Sequence, residues 1–215
     1  MADFNSIIDK YEGKGIPYRD RSDEIRRVVS TLCKYIYSQN DRAIKEVISQ
    51  YKCLKYINDI HIDGQKCTIE YDQGVVSFYV FSQEYFNHFC GDILRCDDVN
   101  GECHNVTQKV LEECHNCDIS AVTSVCINTN FILYFHSYIC DRKENKIIDF
   151  SKKIIMDKDV YDKLFCYKQL NDLNYTEYRE EFDNSDYDGS LYPLLYLSLD
   201  KLNHKSKVKS FKIDK

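Results

Sequence analysis

At Asp63-Gly64 the hydrophobic period of this chain changes, and the change limits the folds open to it. Before that point Arg26, Val29, Cys33, Ile36 and Tyr37 recur near helical spacing, with Ser22 as the expected N-cap. Ile44, Val47, Ile48 and Tyr51 form a second stripe, with Asp41 placed to cap it. Only Ser38-Gln39-Asn40 separates the two, which predicts an antiparallel helical hairpin. The first 20 residues read as an irregular lead-in, because Gly13, Gly15 and Pro17 oppose a long helix. After Gly64, Lys66–Tyr71 and Val75–Phe81 are rich in β-branched and aromatic residues around Asp72-Gln73-Gly74, a hairpin signal.

The remainder alternates between the two periods. Helices are expected over Gln83–Leu94 and Cys103–Cys114, with a loop at Cys96–Gly101 between them. Strands are expected at Ser120–Ile127, Phe131–Cys140 and Lys146–Phe150, then a helix capped by Asp157 and running to Leu170. A last helix spans Leu191–Leu202, with Pro193 in its first turn. Helices first, then strands mixed with helices, predict an α+β fold with a mostly antiparallel sheet rather than a doubly wound parallel one. The expected organisation is a helical annex at 1–62, an α+β domain at 63–202 and a basic tail at 203–215.

Composition narrows the function classes. The chain has 215 residues, 43% of them hydrophobic and 30% charged, enough to bury the core of one domain. Its eleven cysteines are an odd number, so they cannot all pair within the chain. The opening MADFNSIIDKYEGKG lacks the apolar segment of a secretory signal, and no apolar run approaches the ~20 residues of a membrane span. Reduced thiols and a cytoplasmic location are expected, with export by a route lacking a readable signal left open. A formal net charge of -6 supplies no overall basic field for nucleic acid. Residues 176–189 hold six acids against Arg179 and read as a solvated acidic loop; residues 203–215 hold five Lys against Asp214.

The most informative stretch is Asn100-Gly101-Glu102-Cys103-His104-Asn105-Val106. Cys103 falls at an expected helix start, where unpaired backbone N–H groups and the helix dipole favour a thiolate. The same N–H groups could hold the oxyanion formed when a thiolate attacks a carbonyl. On a helical wheel Cys103 shares the stripe of Val106, Thr107, Val110, Leu111 and Cys114, while His104 diverges by about 100° and is poorly aimed to be its base. Taken alone, Cys103 reads more simply as the first core residue of an amphipathic helix, since free Cys is often buried.

His136 lies inside the apolar run Phe131–Cys140, where a histidine needs partners for its ring nitrogens. Asp149, in Ile147-Ile148-Asp149-Phe150, is the candidate on the next strand. If the loop is Asp141–Glu144, 140 pairs with 145, 139 with 146, and His136 faces Asp149 with Cβ atoms about 5 Å apart. A loop one residue longer or shorter shifts this pairing. A satisfied core histidine and a strand-end turn former are the plainer readings of the two. Together, Cys103, His136 and Asp149 have the order nucleophile, base and orienting carboxylate.

That order and these local contexts resemble the papain-like superfamily of cysteine enzymes. The likeness is to its compact branches: transglutaminase-like proteins, arylamine N-acetyltransferase-like proteins and small bacterial or phage hydrolases. The matching residues are Gly101-Glu102-Cys103-His104-Asn105, His136-Ser137-Tyr138 and Ile147-Ile148-Asp149, and the resemblance covers roughly residues 100–165. It implies acyl transfer through a thioester on a protein or peptide substrate, with no cofactor. Tyr138 stands where the superfamily often has Trp, and Asn100 and Gln83 are the candidates for the upstream oxyanion-hole side chain.

Two other readings remain open. Cys90, Cys96, Cys103, His104, Cys114, His115 and Cys117 crowd one stretch, and Cys114 and Cys117 form a CxxC that could join a structural zinc site. Cys103 and Cys114, however, sit about 16 Å apart along an intact helix and cannot share one ion. The scaffold could also be a non-catalytic interaction module. Glu112-Glu113 and Glu180-Glu181 are adjacent in sequence and point apart on helices, unlike a glycosidase pair.

Overall fold

The lead-in expected to be irregular begins with a short helix, α1 (Asn5–Tyr11), in a computed structural model that describes residues 4–84 and 102–210. The chain turns away at Gly13, whose φ of 71° favours glycine. Two long helices follow, α2 (Arg21–Tyr37) and α3 (Asp41–Lys52). Each is capped just upstream of the expected residue, by Asp20 in place of Ser22 and by Asn40 in place of Asp41. Asp20 accepts from the Ser22 backbone N–H at 2.8 Å, and Asn40 accepts from the Ala43 N–H at 3.1 Å. In each pair the residue that takes the role has non-helical backbone: Asp20 is extended, and Asn40 sits at φ -91°, ψ 79°.

Ile57–Asp63, placed partly in the helical annex by its position, is the edge strand β1. It pairs with β2 (Lys66–Tyr71), which forms the expected hairpin with β3 (Gly74–Val80). The helix expected at Gln83–Leu94 and the loop Cys96–Gly101 lie outside the described residues apart from Gln83 and the residue after it. Next come α4 (Cys103–Cys114), β4 (Ile119–Ile127), β5 (Leu133–Asp141), β6 (Lys146–Asp149) and β7 (Ile154–Asp157). The helix behind Asp157, α5 (Lys158–Phe165), stops five residues before Leu170, because Cys166–Asn174 is recruited as β8 against β4. The acidic stretch read as a loop opens with a helix, α6 (Tyr175–Asp183), started by a capping box between Asn174 and Glu177. The last helix, α7 (Pro193–Ser210), begins on Pro193 and runs into the expected basic tail.

The described residues thus form seven helices and one eight-stranded sheet, an α+β fold. The strand order is β1-β2-β3-β7-β6-β5-β4-β8, and every pairing is antiparallel. Helices cover both faces. Ile25, Val29 and Leu32 of α2 and Tyr161, Leu164 and Phe165 of α5 pack with Val122, Cys126 and Tyr138 on one side. Leu111 of α4, Tyr178 of α6 and Leu194 and Leu197 of α7 pack with Ala121 and Leu173 on the other. This double cover explains why β4 is buried continuously from Ser120 to Ile127 instead of alternating.

One irregularity positions the site. β6 pairs with β5 only over Ile139–Asp141. Further back, the same edge of β5 is held by the N-terminal segment: Gly13 N–H donates to the Leu133 carbonyl at 2.9 Å, and Leu133 N–H donates to Lys14 at 2.8 Å. Between these two attachments Phe135 and His136 line a cavity.

Candidate active site

Cys103 and His104 open α4, and His136 lies in the middle of β5. All three line one cavity of about 580 Å³, with Tyr134, Lys152 and Tyr192 among its walls. The Cys103 side chain is half-buried, whereas His136 and Asp149 are buried.

His136 and Asp149 meet, though not through the expected pairing. The observed register sets Cys140 against Ile147 and Ile139 against Ile148, two residues away from the expectation. Arg142–Asn145 makes a four-residue turn, with Asn145 at φ 51° and the Glu144 N–H donating to Asp141 at 2.9 Å. A shift of two keeps every side chain on its face, so Asp149 becomes a diagonal neighbour of His136 and stays within reach. The His136 Nε2 to Asp149 Oδ2 distance is 2.9 Å, which leaves Nδ1 as the ring nitrogen free for the thiol.

Asp149 is held by more than the histidine. Ser151 Oγ–H and the Lys152 backbone N–H donate to its Oδ1 at 2.9 and 3.0 Å. Lys152 Nζ and the Tyr161 hydroxyl donate to Oδ2 at 2.9 and 2.6 Å. Burial opposes its charge, but the charges of His136 and Lys152 and their hydrogen bonds hold the carboxyl well below the usual carboxylate range. The Lys152 ammonium, whose Nζ lies 5.3–5.6 Å from the ring centres of Tyr134, Tyr161 and Phe165, is stabilised in turn. Burial would lower its pKa, and Asp149 holds it above the usual range.

The consequence reaches the thiol. Burial works against a thiolate at Cys103, but the electrostatic pull of the His136 ring, hydrogen bonds from His104 and His136, and the pull of the His104 ring reverse it. The thiol is brought down to about 5. Burial also tends to lower the His136 imidazolium, and the Asp149 carboxylate outweighs it, so that group is raised. Cys33, Cys67, Cys114, Cys126, Cys140 and Cys166 go the other way, pushed up chiefly by burial.

His104 corrects the wheel argument. It is buried, and its Nδ1 lies 2.7 Å from Ser137 Oγ, which lies 2.8 Å from Thr123 Oγ1. Its ring is tilted 31° against Tyr192, with centroids 5.6 Å apart. The wheel failed because α4 is wedged between the sheet and α7. A wider arc is therefore buried, and His104, Thr107 and Leu111 form a second inward row beside Val106 and Val110. Lys152, Ser151 and Tyr161 were missed as well. Asp149 followed by Ser151 and Lys152 is an aspartate-led turn, a signal legible in the sequence.

The remaining candidates fare differently. Gln83 is exposed and is not part of the cavity wall, and Asn100 lies outside the described residues. Cys114 and Cys117 are exposed, and the His115 ring stacks on Tyr175 at 4.3 Å. Among the described residues no three His, Cys, Asp or Glu gather as a metal site; Cys90 and Cys96 lie outside them. Comparison with known proteins finds no matching family model, no similar curated protein and no similar solved structure.

Proposed function

We propose that the chain is a papain-like cysteine enzyme that transfers an acyl group through a thioester. The carrying observation is that Cys103, at the start of α4, lines one cavity with His136, which Asp149 holds by Nε2 at 2.9 Å; in that setting the thiol is drawn down to about 5. In this reading the resting site is a thiolate–imidazolium pair. Cys103 Sγ attacks a carbonyl carbon, the His136 proton passes to the leaving amine, and a thioester remains. Water, deprotonated by His136, then completes an amidase or peptidase cycle; an amine acceptor completes a transglutaminase-like or acyltransferase cycle. The open cavity beside β5 suits a protein or peptide chain as substrate. Among the described residues no helix is long and apolar enough to cross a membrane, and a nucleophilic thiol is best preserved in the reducing cytoplasm.

The test is alkylation. Iodoacetamide should modify Cys103 faster than the exposed Cys53, Cys114 and Cys117 at pH 6, with a rate that climbs through about 5 and then levels. The sign follows from a lowered thiol pKa: thiolate is present above it and lost below it. His136→Ala should slow the reaction at pH 6 by about tenfold or more and move the inflection upward. Equal rates at Cys103 and the exposed thiols would overturn the enzyme reading in favour of a binding module.

A further inference from the structure

The site as described has a nucleophile, a base and an orienting carboxylate, but no side chain to stabilise the oxyanion. We infer that His104 supplies it: its Nε2–H, with the Cys103 backbone N–H at the start of α4, forms the oxyanion hole. The inference rests on the thioester reading above and names a second catalytic imidazole within it.

Three observations carry it. First, His104 and Cys103 line the same cavity as neighbours in the first turn of α4, and the His104 ring is near enough to the thiol to help draw it down. A donor beside the sulfur is also beside the carbonyl oxygen of anything bonded to that sulfur. Second, the ring is fixed in one orientation. Nδ1 meets Ser137 Oγ at 2.7 Å, Ser137 meets Thr123 Oγ1 at 2.8 Å, and Tyr192 covers the ring. We assign the donor direction of this hydroxyl chain as Thr123 to Ser137 to His104, which makes Nδ1 the acceptor and puts the proton on Nε2. Third, the partners divide the labour. His136 is paired with a carboxylate and carries the mobile proton, whereas the His104 ring meets the Ser137 hydroxyl.

The step balances without a co-reactant. Thiolate Sγ forms the C–S bond, and the carbonyl π pair moves to oxygen. The oxyanion accepts hydrogen bonds from Cys103 N–H and His104 Nε2–H. When the pair returns, the bond to the leaving group breaks, and an amine leaving group takes the His136 proton.

Alkylation by iodoacetamide displaces iodide without forming an oxyanion, whereas acetylation by p-nitrophenyl acetate forms one. Both rates on Cys103 should therefore be measured above the alkylation inflection, where the thiolate is saturated. His104→Leu should slow acetylation by about 10²–10³-fold and alkylation by less than about threefold. His104→Gln, which keeps an N–H donor, should recover part of the loss. Ser137→Ala leaves His104 in place but removes the group that orients its proton, and should lower acetylation selectively; it covers the case in which His104→Leu fails to fold. A fast wild-type thiol whose two rates fall in parallel, or whose acetylation ignores all three changes, overturns this inference alone. A wild-type Cys103 no faster than Cys53 overturns the enzyme reading, and this inference with it.

Discussion

Lys152 shows how one side chain sets the chemistry of several others. Its ammonium shares Asp149 with His136, so it keeps the carboxylate charged while competing for it. Its charge lowers the His136 imidazolium, against the larger upward effect of Asp149. Lys152→Met should therefore raise the His136 imidazolium further, seen as an upward move of that ring's titration by NMR. The same change removes one partner of a buried ion pair and should cost about 3 kcal/mol in urea unfolding. An unmoved His136 titration would mean that Lys152 only fills space. The sequence marks an aspartate-led turn at Asp149, but not where the lysine three residues on points. Only the hairpin turn and the ring faces of Tyr134, Tyr161 and Phe165 turn it inward.

Helices and strands were legible to different degrees. α4 matched its expected bounds because a charge-free first turn and a clear apolar stripe coincide there. β2 and β3 matched because the hairpin is local. β8 was missed: Cys166–Leu170 continues the apolar spacing of α5, and its strand state comes from pairing with β4. α6 was missed because its run of acids was read as a solvated loop, although an acid three residues after Asn174 is a helix-start signal. Its capping box has Glu177 N–H donating to Asn174 at 2.9 Å and Asn174 N–H donating to Glu177 at 2.8 Å. Asn174→Ala should destabilise the fold by about 1 kcal/mol in urea unfolding, with Cys103 alkylation unchanged. Arg142 ties Asp172 at the end of β8 to Glu177 in α6, at 2.8 and 3.1 Å.

Across the molecule, a buried ion pair joins the helical layer to the rest. Asp23 and Arg26 are both fully buried, 2.7 Å apart, and Arg26 also donates to the Leu164 carbonyl in α5 at 3.0 Å. Burial would raise the Asp23 carboxyl, and hydrogen bonds from Arg19 and Arg26 hold it below the usual range. A lowered folded pKa gives stability that is present above the unfolded value of about 3.9 and is lost as pH falls through the folded one. Asp23→Ala strands the Arg26 guanidinium and should cost about 3–5 kcal/mol at pH 7, with less acid sensitivity below pH ~4. Chemical denaturation across pH reads both. A loss under about 1 kcal/mol would show that Arg26 finds water instead.

Local order was present in the residues themselves. The change of period at Gly64, the cysteine at a helix start, and a histidine inside an apolar run followed by an aspartate are all one-dimensional signals. They point to an antiparallel α+β fold and to Cys103, His136 and Asp149, because period and caps act within a few residues. Register, sheet order and burial arc do not. A four-residue turn displaced by one residue moves every cross-strand pair by two, a helix wedged on two sides buries more than one stripe, and an edge strand is made by its neighbour. That is why the sequence pointed His104 away from the thiol and passed over Lys152. Folding sets the first against Ser137 and the second against Asp149.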